Sequence, residues 1–156
     1  MHRERVNIGE LLTTVRDYYE ASATGAGISL VNDETESLNA ELDRSLMLRA
    51  VSNLVSNAIA HTPPGGTVTL AATNDGATIR IEVSDTGIGI PAEALPGVFD
   101  RFFRVDPSRS KSSGGTGLGL AIVQSILTLH DGSAEITSQL GRGTRVTLRM
   151  PALATQ

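Results

Sequence analysis

The chain has 156 residues, no cysteine and a formal net charge of −4 at pH 7. The length suits one domain, and the lack of cysteine excludes a disulfide framework and a thiolate zinc site. The negative charge disfavours a domain held mainly by nucleic-acid phosphates. No apolar run approaches the roughly 20 residues of a membrane helix, and no signal-peptide pattern is present, so we expect a soluble domain.

The first third of the chain predicts two helices separated by a short strand. Apolar residues at helical spacing over 8–23 predict the first helix, and an apolar run over 28–31 predicts the strand. Asp43 can accept a free backbone N–H at the start of a second helix. That helix should end near His61, because two prolines follow and proline cannot continue a helix.

The rest of the chain predicts a sheet, a loop and a third helix. Alternating residues over 67–73 and 78–84, joined by an Asn-Asp-Gly turn, predict an antiparallel hairpin. The later elements are, in order, a helical turn over 91–95, a loop over 106–115 that we expect to be mobile, a helix over 117–130, and strands over 134–138 and 144–150. This order predicts an α+β fold, a two-layer α/β sandwich with three helices on one face of a mixed, mostly antiparallel sheet.

Two asparagines lie together on the second predicted helix. Asn53 and Asn57 are four residues apart, so their side chains lie about 40° from each other on a stripe away from the apolar arc. Either residue alone is ordinary on an exposed helix face. The pair indicates a binding site only if a second motif supports one.

A second motif follows the hairpin, in the string Asp-Thr-Gly-Ile-Gly-Ile over 85–90. A carboxylate that closes an apolar strand can accept an amino hydrogen bond, and the two glycines allow close approach to the backbone. A plain turn is the alternative. The string formally fits a dinucleotide-binding pattern, but Pro91 and the absence of a βαβ context argue against that fold, and no P-loop lysine motif occurs.

A third motif, Gly-Thr-Gly-Leu-Gly-Leu-Ala over 115–121, leads directly into the third helix. The start of a helix offers free N–H groups and a positive dipole end to phosphate oxygens. The string Phe-Asp-Arg-Phe-Phe-Arg over 99–104 precedes it and combines aromatic anchors with arginines that can reach a phosphate. A core role for its phenylalanines is the alternative.

Taken in order, the motifs at 53–57, 85–90, 99–104 and 115–121 resemble the N, G1, F and G2 boxes of histidine kinase catalytic domains. The resemblance covers nearly the whole chain, including a Gly-Arg-Gly-Thr turn at 141–144. It implies the Bergerat-type ATP-binding sandwich of the gyrase, Hsp90, histidine kinase and MutL superfamily. We expect that domain over 8–151, with 1–7 a linker or a remnant of cloning and 152–156 a tail.

The resemblance implies ATP and Mg²⁺ as cofactors and carries roles onto matching positions. Asn57 is similar to the magnesium-binding amide, with Asn53 beside it, and Asp85 resembles the acceptor of the adenine amino group. Arg104 is similar to a catalytic arginine that reaches the terminal phosphate. The other nucleotide-binding positions implied are His61, Gly87, Gly89, Ile90, Lys111, Gly115, Thr116, Gly117, Leu118, Gly119 and Thr144.

The sequence departs from the family pattern at one position. Many relatives carry lysine or arginine three residues after the magnesium asparagine, where this chain has Ala60. The sequence therefore does not decide which of Arg104, Arg109 and Lys111 binds the terminal phosphate. The neighbouring His61 either touches the nucleotide or caps the helix carbonyls.

A glutamate that activates water stands at the position of Asn53 in gyrase-like and Hsp90-like relatives, and an amide cannot take that proton. The resemblance therefore implies slow ATP hydrolysis and transfer of the γ-phosphate to a histidine on a separate phosphoacceptor domain. None of the three histidines stands in the family's His-Glu-x-Arg-x-Pro setting, so we expect no self-phosphorylation.

The resemblance implies that the chain is the catalytic part of a two-component sensor. We expect the parent protein to be a homodimer that is integral to the cell membrane, with this domain in the cytoplasm. The fragment itself should be a monomer. Its partners would be the acceptor domain and, indirectly, a response regulator. Three alternatives remain open: an anti-sigma-type serine kinase, a non-catalytic nucleotide-binding regulator, and a partner-binding α/β module whose glycines only make turns.

Overall fold

The computed structural model describes residues 1–33, 38–97, 99 and 119–152, and its elements follow the predicted order. They are β1 (Glu4–Asn7), α1 (Ile8–Gly25), β2 (Ser29–Asn32), β3 (Asn39–Leu42), α2 (Arg44–Ala60), β4 (Thr67–Asn74), β5 (Thr78–Asp85), a 3-10 helix (Ala92–Gly97), α3 (Gly119–Leu129), β6 (Ser133–Gln139) and β7 (Gly143–Pro151). No helix within these described ranges combines the length and apolarity of a membrane span.

The main sheet has five strands in the order β2-β4-β5-β7-β6. Strand β2 runs parallel to β4, and the other neighbours are antiparallel. Along β4 and β5 buried apolar residues alternate with more exposed ones. The three helices contact the sheet and each other around one shared core. The predicted α+β sandwich with a mixed, mostly antiparallel sheet is confirmed.

Register brings three polar residues to one end of the core-facing side of the sheet. Asp85 on β5 is paired with Thr144 on β7, and Thr144 is paired with Ser138 on β6. The next pairs inward are apolar, Val83 with Val146. Since side chains two residues apart on a strand share a face, the polar row continues the core-facing side of the sheet beyond its apolar part.

Helix α1 is fixed at its start and along one face. The side chain of Asn7 accepts a hydrogen bond from the backbone N–H of Glu10 at 3.0 Å, which caps the helix. The predicted apolar positions are buried up to Val15, but Tyr18 is 79% exposed.

Helices α2 and α3 pack against each other and touch near both ends. Asp43 caps α2 as predicted, with its side chain accepting from the backbone N–H of Leu46 at 3.1 Å. The backbone N–H of Asp43 donates to Nε2 of His130 at 3.0 Å, and Nδ1 of that ring donates to the carbonyl of Ile126 at 2.7 Å. The buried His130 is therefore the neutral Nδ1–H tautomer, and it joins the end of α3 to the start of α2.

Two strands were not predicted from the sequence. Strands β1 and β3 pair antiparallel and form a separate two-stranded sheet, with Val6 opposite Ala40. The predicted strand over 28–31 and the predicted hairpin are confirmed to within one or two residues. The loop expected over 106–115 lies outside the described residues, as do the first two residues of the helix expected over 117–130.

Candidate functional site

Asp85 lies half-buried at the end of β5, and one of its carboxylate oxygens is already in use. Oδ1 accepts from the backbone N–H of Gly87 at 2.8 Å and from that of Thr144 at 3.3 Å. Within the described part of the chain, no hydrogen bond to Oδ2 is recorded. Burial raises the pKa of this carboxyl above its usual value, and the two hydrogen bonds and nearby His61 oppose that effect in part. Asp85 can therefore offer one oxygen to a ligand.

The loop after Asp85 is held on both sides by backbone hydrogen bonds. The N–H of Ile88 donates to the carbonyl of His61, at the end of α2, at 3.1 Å. The carbonyl of Ile88 accepts from the N–H of Gly141, in the β6–β7 turn, at 2.8 Å. The N–H of Ile90, a buried residue, donates to the Ser138 hydroxyl at 2.7 Å. Loop 86–90 therefore spans the space between α2 and the β6–β7 hairpin.

Three glycines are required by this arrangement before any ligand is considered. A Cβ atom on Gly87 would run into the carbonyl oxygen of His61, and one on Gly89 would run into the backbone of Gln139. Gly143 has a φ of 127° and lies against the carbonyl of Asp85. Close backbone packing within the protein therefore explains these positions, in addition to the approach of a ligand expected from the sequence.

Ser138 is a site residue that the sequence analysis missed. Its hydroxyl lies 2.8 Å from that of Thr144 and 3.0 Å from the carbonyl of Gly143, besides accepting from Ile90. A single serine on a short strand carries no motif. Counting back through the turn from Thr144 would have found it, because the antiparallel register pairs the two residues.

The other end of the site is formed by α2 and the first residue of α3. Asn53 and Asn57 are half-buried, as their shared stripe on α2 predicts. A Cβ atom on Gly119 would lie 3.1 Å from Nδ2 of Asn57, so α3 begins directly against that amide. Among the described residues, no hydrogen bond to either side-chain amide is recorded.

The polar donors at this end are side-chain amides rather than a cluster of carboxylates and imidazoles. The described residues contain no group of three or more His, Asp or Glu side chains placed to bind a metal. Mg²⁺ is commonly bound through one or two protein oxygens together with phosphates and waters. The amide oxygen of Asn57 is a hard donor of the kind that Mg²⁺ accepts.

His61 joins the two ends of the site. Its ring Nδ1 lies 2.9 Å from the carbonyl of Asn57, which also accepts from the backbone N–H of His61 at 3.1 Å. The ring thus caps the end of α2, which is one of the two roles considered for it. Because a carbonyl oxygen can only accept, Nδ1 donates in this contact.

Several predicted site residues lie outside the described part of the chain. They are Arg104, Arg109, Lys111, Gly115, Thr116, Gly117 and Leu118. Of the 99–104 motif only Phe99 is described. The cation for the terminal phosphate therefore stays a prediction among three residues.

The chain matches a known family over most of its length. Residues 42–154 match the family model described as histidine kinase-, DNA gyrase B-, and HSP90-like ATPase. The sensor-like histidine kinase SenX3 of Mycobacterium tuberculosis is 40% identical over 148 residues, which is 95% of this chain and 36% of SenX3. The chain thus spans little more than a third of that relative.

Solved structures of histidine kinases have the same fold. The nucleotide-free catalytic domain of the histidine kinase ThkA has a TM-score of 0.85 and 27% identity, covering 97% of this chain and 99% of that one. Full-length ShkA, solved in complex with AMPPNP, has a TM-score of 0.86 and 27% identity, covering 100% of this chain and 32% of that one. The described fold is therefore that of a histidine kinase catalytic domain.

Proposed function

The chain belongs to the family of histidine kinase-, DNA gyrase B- and HSP90-like ATPases, and we propose that it is the ATP-binding, phosphate-donating domain of a sensor histidine kinase. The observation that carries this proposal is the position of α2. Its C-terminal end holds Asn57 against Gly119 and holds the loop that follows Asp85. This link between the candidate metal ligand and the loop after the candidate base acceptor supports a single nucleotide site.

The Asp85 end of the site supports adenine as the base. Oδ2 of Asp85 is available to accept a hydrogen bond from an exocyclic amino group, while Oδ1 is held by Gly87 and Thr144. The hydrogen bonds made by the backbone of loop 86–90 hold this acceptor in position before the ligand arrives. The AMPPNP in the ShkA structure is in line with such a ligand.

The α2–α3 end supports the phosphates and their metal ion. Asn57 would hold Mg²⁺ by its amide oxygen, with Asn53 beside it, and Mg²⁺ bound there would neutralise phosphate charge. Gly119 at the start of α3 has no side chain to separate the helix from Asn57. The glycines before it and one of the basic residues at 104, 109 and 111 would complete the phosphate site.

Asn53 favours transfer over hydrolysis. An amide cannot take a proton from water, so this position offers no general base for hydrolysis. In the proposed reaction a histidine nitrogen forms a bond to the γ-phosphorus, the bond to the bridging oxygen breaks, and ADP leaves with the electron pair. The domain contributes position and charge neutralisation, which are the main needs of phosphoryl transfer.

The acceptor histidine is proposed to lie on a dimerisation domain of the parent protein, with a response regulator receiving the phosphate afterwards. We also propose that the parent is a membrane-bound homodimer with this domain in the cytoplasm. The names of the relatives, sensor histidine kinases, support these proposals.

Reconstitution tests this function directly. The chain is incubated with γ-labelled Mg-ATP, alone and with a separately produced acceptor domain of its parent, and label is followed on each polypeptide. We expect ATP binding without self-labelling, and acid-labile label on the acceptor domain only when its histidine is present. An acceptor domain with that histidine replaced by glutamine is the matched control. Rapid ATP turnover without an acceptor, or stable label on this chain alone, would contradict the proposal.

A further inference from the structure

The hydroxyl of Ser138 has three polar neighbours of unequal chemistry. The backbone N–H of Ile90 at 2.7 Å can only donate, and the carbonyl of Gly143 at 3.0 Å can only accept. The hydroxyl of Thr144 at 2.8 Å can do either. A serine hydroxyl has one proton and two lone pairs to distribute among these three contacts.

Only one arrangement satisfies all three contacts at once. Ser138 accepts from Ile90 and must give its single proton to Gly143, because that carbonyl has none to offer. Its second lone pair then accepts the proton of the Thr144 hydroxyl. If Ser138 donated to Thr144 instead, its lone pair would face the carbonyl oxygen of Gly143 at 3.0 Å without a proton between them.

The consequence lies on the ligand side of Thr144. With its proton committed to Ser138, the Thr144 hydroxyl presents only lone pairs, next to the carboxylate of Asp85 in the same row of the sheet. Two acceptors side by side complement an exocyclic amino group, which carries two protons. They repel a carbonyl oxygen at the same position of the base, because it carries only lone pairs.

We propose that Ser138 is a positioning residue that holds the Thr144 hydroxyl as an acceptor and so makes the site reject purine nucleotides with a 6-oxo group. This inference rests on the proposed ATP-binding function and adds a determinant of base selectivity. Ser138 acts through Thr144 and need not touch the base itself.

The test compares ATP with inosine triphosphate, which keeps the sugar and phosphates but carries oxygen in place of the amino group. In Ser138→Ala the Thr144 hydroxyl is free to turn and donate to that oxygen. We expect the ratio of the Kd for inosine triphosphate to the Kd for ATP to fall about three- to tenfold, the size of one net hydrogen bond. Ser138→Thr keeps the hydroxyl and should keep the wild-type ratio.

Two further variants separate positioning from a general loss of structure. Ser133→Ala removes an exposed serine from the same strand and should leave the ratio unchanged. Thr144→Val removes the lone pairs, so it should lower the ratio as well, and adding Ser138→Ala to it should change nothing more. Thermal melting of each variant identifies those that fold, and Thr144→Val carries the test if Ser138→Ala does not.

The outcomes distinguish this inference from the function on which it rests. A folded Ser138→Ala protein with an unchanged ratio, or a Thr144→Val protein with a higher ratio, overturns the role of Ser138 while ATP binding stands. A wild-type chain that fails to bind ATP overturns the proposed function and the inference with it.

Discussion

The two ends of the site are built differently. At the base end, Asp85, Thr144 and Ser138 are joined by hydrogen bonds to each other or to the surrounding backbone. At the phosphate end, the side-chain amides of Asn53 and Asn57 have no recorded hydrogen bond among the described residues. The proposed base end is therefore part of the folded architecture, whereas the two amides at the proposed phosphate end make no hydrogen bond with the described residues.

Because of this difference, we expect substitutions at the two ends to affect different properties, stability at one end and binding at the other. Substitutions that break a backbone contact at the base end should disturb the fold, because these contacts also join β5, β6, β7 and α2. Substitutions at the phosphate end should weaken binding without disturbing the fold. Four variants test this division, in order of decreasing expected effect.

Gly143→Ala should have the largest effect, since it adds a side chain at a φ of 127° and against the Asp85 carbonyl. We expect the free energy of unfolding to fall by about 3 kcal/mol, measured by urea denaturation. Gly141→Ala is the matched control, because its φ of 83° is also left-handed but its Cβ would meet open space. It should cost about 1 kcal/mol. Equal losses in the two variants would count against close packing at Gly143.

Asn57→Ala should affect binding alone. Loss of the amide oxygen should weaken Mg²⁺-dependent ATP binding by about 10- to 100-fold, measured by titration calorimetry with and without the metal. Unfolding should change by less than about 0.5 kcal/mol, because alanine favours the helix and the amide has no recorded partner in the described chain. Ser56→Ala, at the exposed neighbouring position, should change neither quantity. A large loss of stability in Asn57→Ala would show that the amide is structural.

Asp85→Asn should change both ligand binding and stability, each by a smaller amount than the variants above. It keeps the Oδ1 acceptor for Gly87 and Thr144 but replaces an acceptor by a donor towards the base, so discrimination for adenine should fall about tenfold.

Burial raises the pKa of the wild-type Asp85 carboxyl. Its contribution to stability is therefore full below the unfolded-state pKa and is lost as the pH rises through the folded-state pKa.

Melting curves of the unliganded proteins across pH measure this effect. At neutral pH Asp85→Asn should melt at the same or a higher temperature than wild type. The gap should close as the pH falls and the wild-type carboxyl becomes protonated. A gap that widens on acidification would mean that the ionised carboxylate stabilises the fold.

His61→Ala should have the smallest effect, because among the described residues the ring makes a single hydrogen bond, with the carbonyl of Asn57. We expect a loss of about 0.5–1 kcal/mol in unfolding and a change of less than about threefold in ATP affinity. A tenfold loss of affinity with normal stability would show that Nε2 contacts the nucleotide. Equilibrium binding and urea denaturation on the same samples decide between the two roles.

The elements that periodicity and capping specify locally were predictable from the sequence. Helix α2 begins after Asp43, and the β4–β5 hairpin turns at Asn-Asp-Gly, because both signals lie within a few residues of the structure they determine. Strands β1 and β3 were missed, because each has four residues and their pairing joins Val6 to Ala40 across the whole of α1. Nothing in either segment alone specifies that partner.

The residues of the candidate site also fall into those that the sequence predicts and those that it does not. Asp85 and the two asparagines stand in motifs, so their residue types and spacing pointed to them. Ser138 acquires its role only through hairpin register, and the internal contacts of Gly87 and Gly89 depend on the position of α2 and the β6–β7 turn. Such contacts between distant segments leave no trace in the spacing of a single stretch of sequence.

The hydrogen bond between Asp43 and His130 joins the end of α3 to the start of α2, about 16 Å along α3 from Gly119. Gly119, at the start of α3, lies against Asn57 near the end of α2. A change in the angle between the two helices would therefore change the separation between Gly119 and Asn57. The separation between Gly119 and Asn57 is thus a measure of the angle of α3.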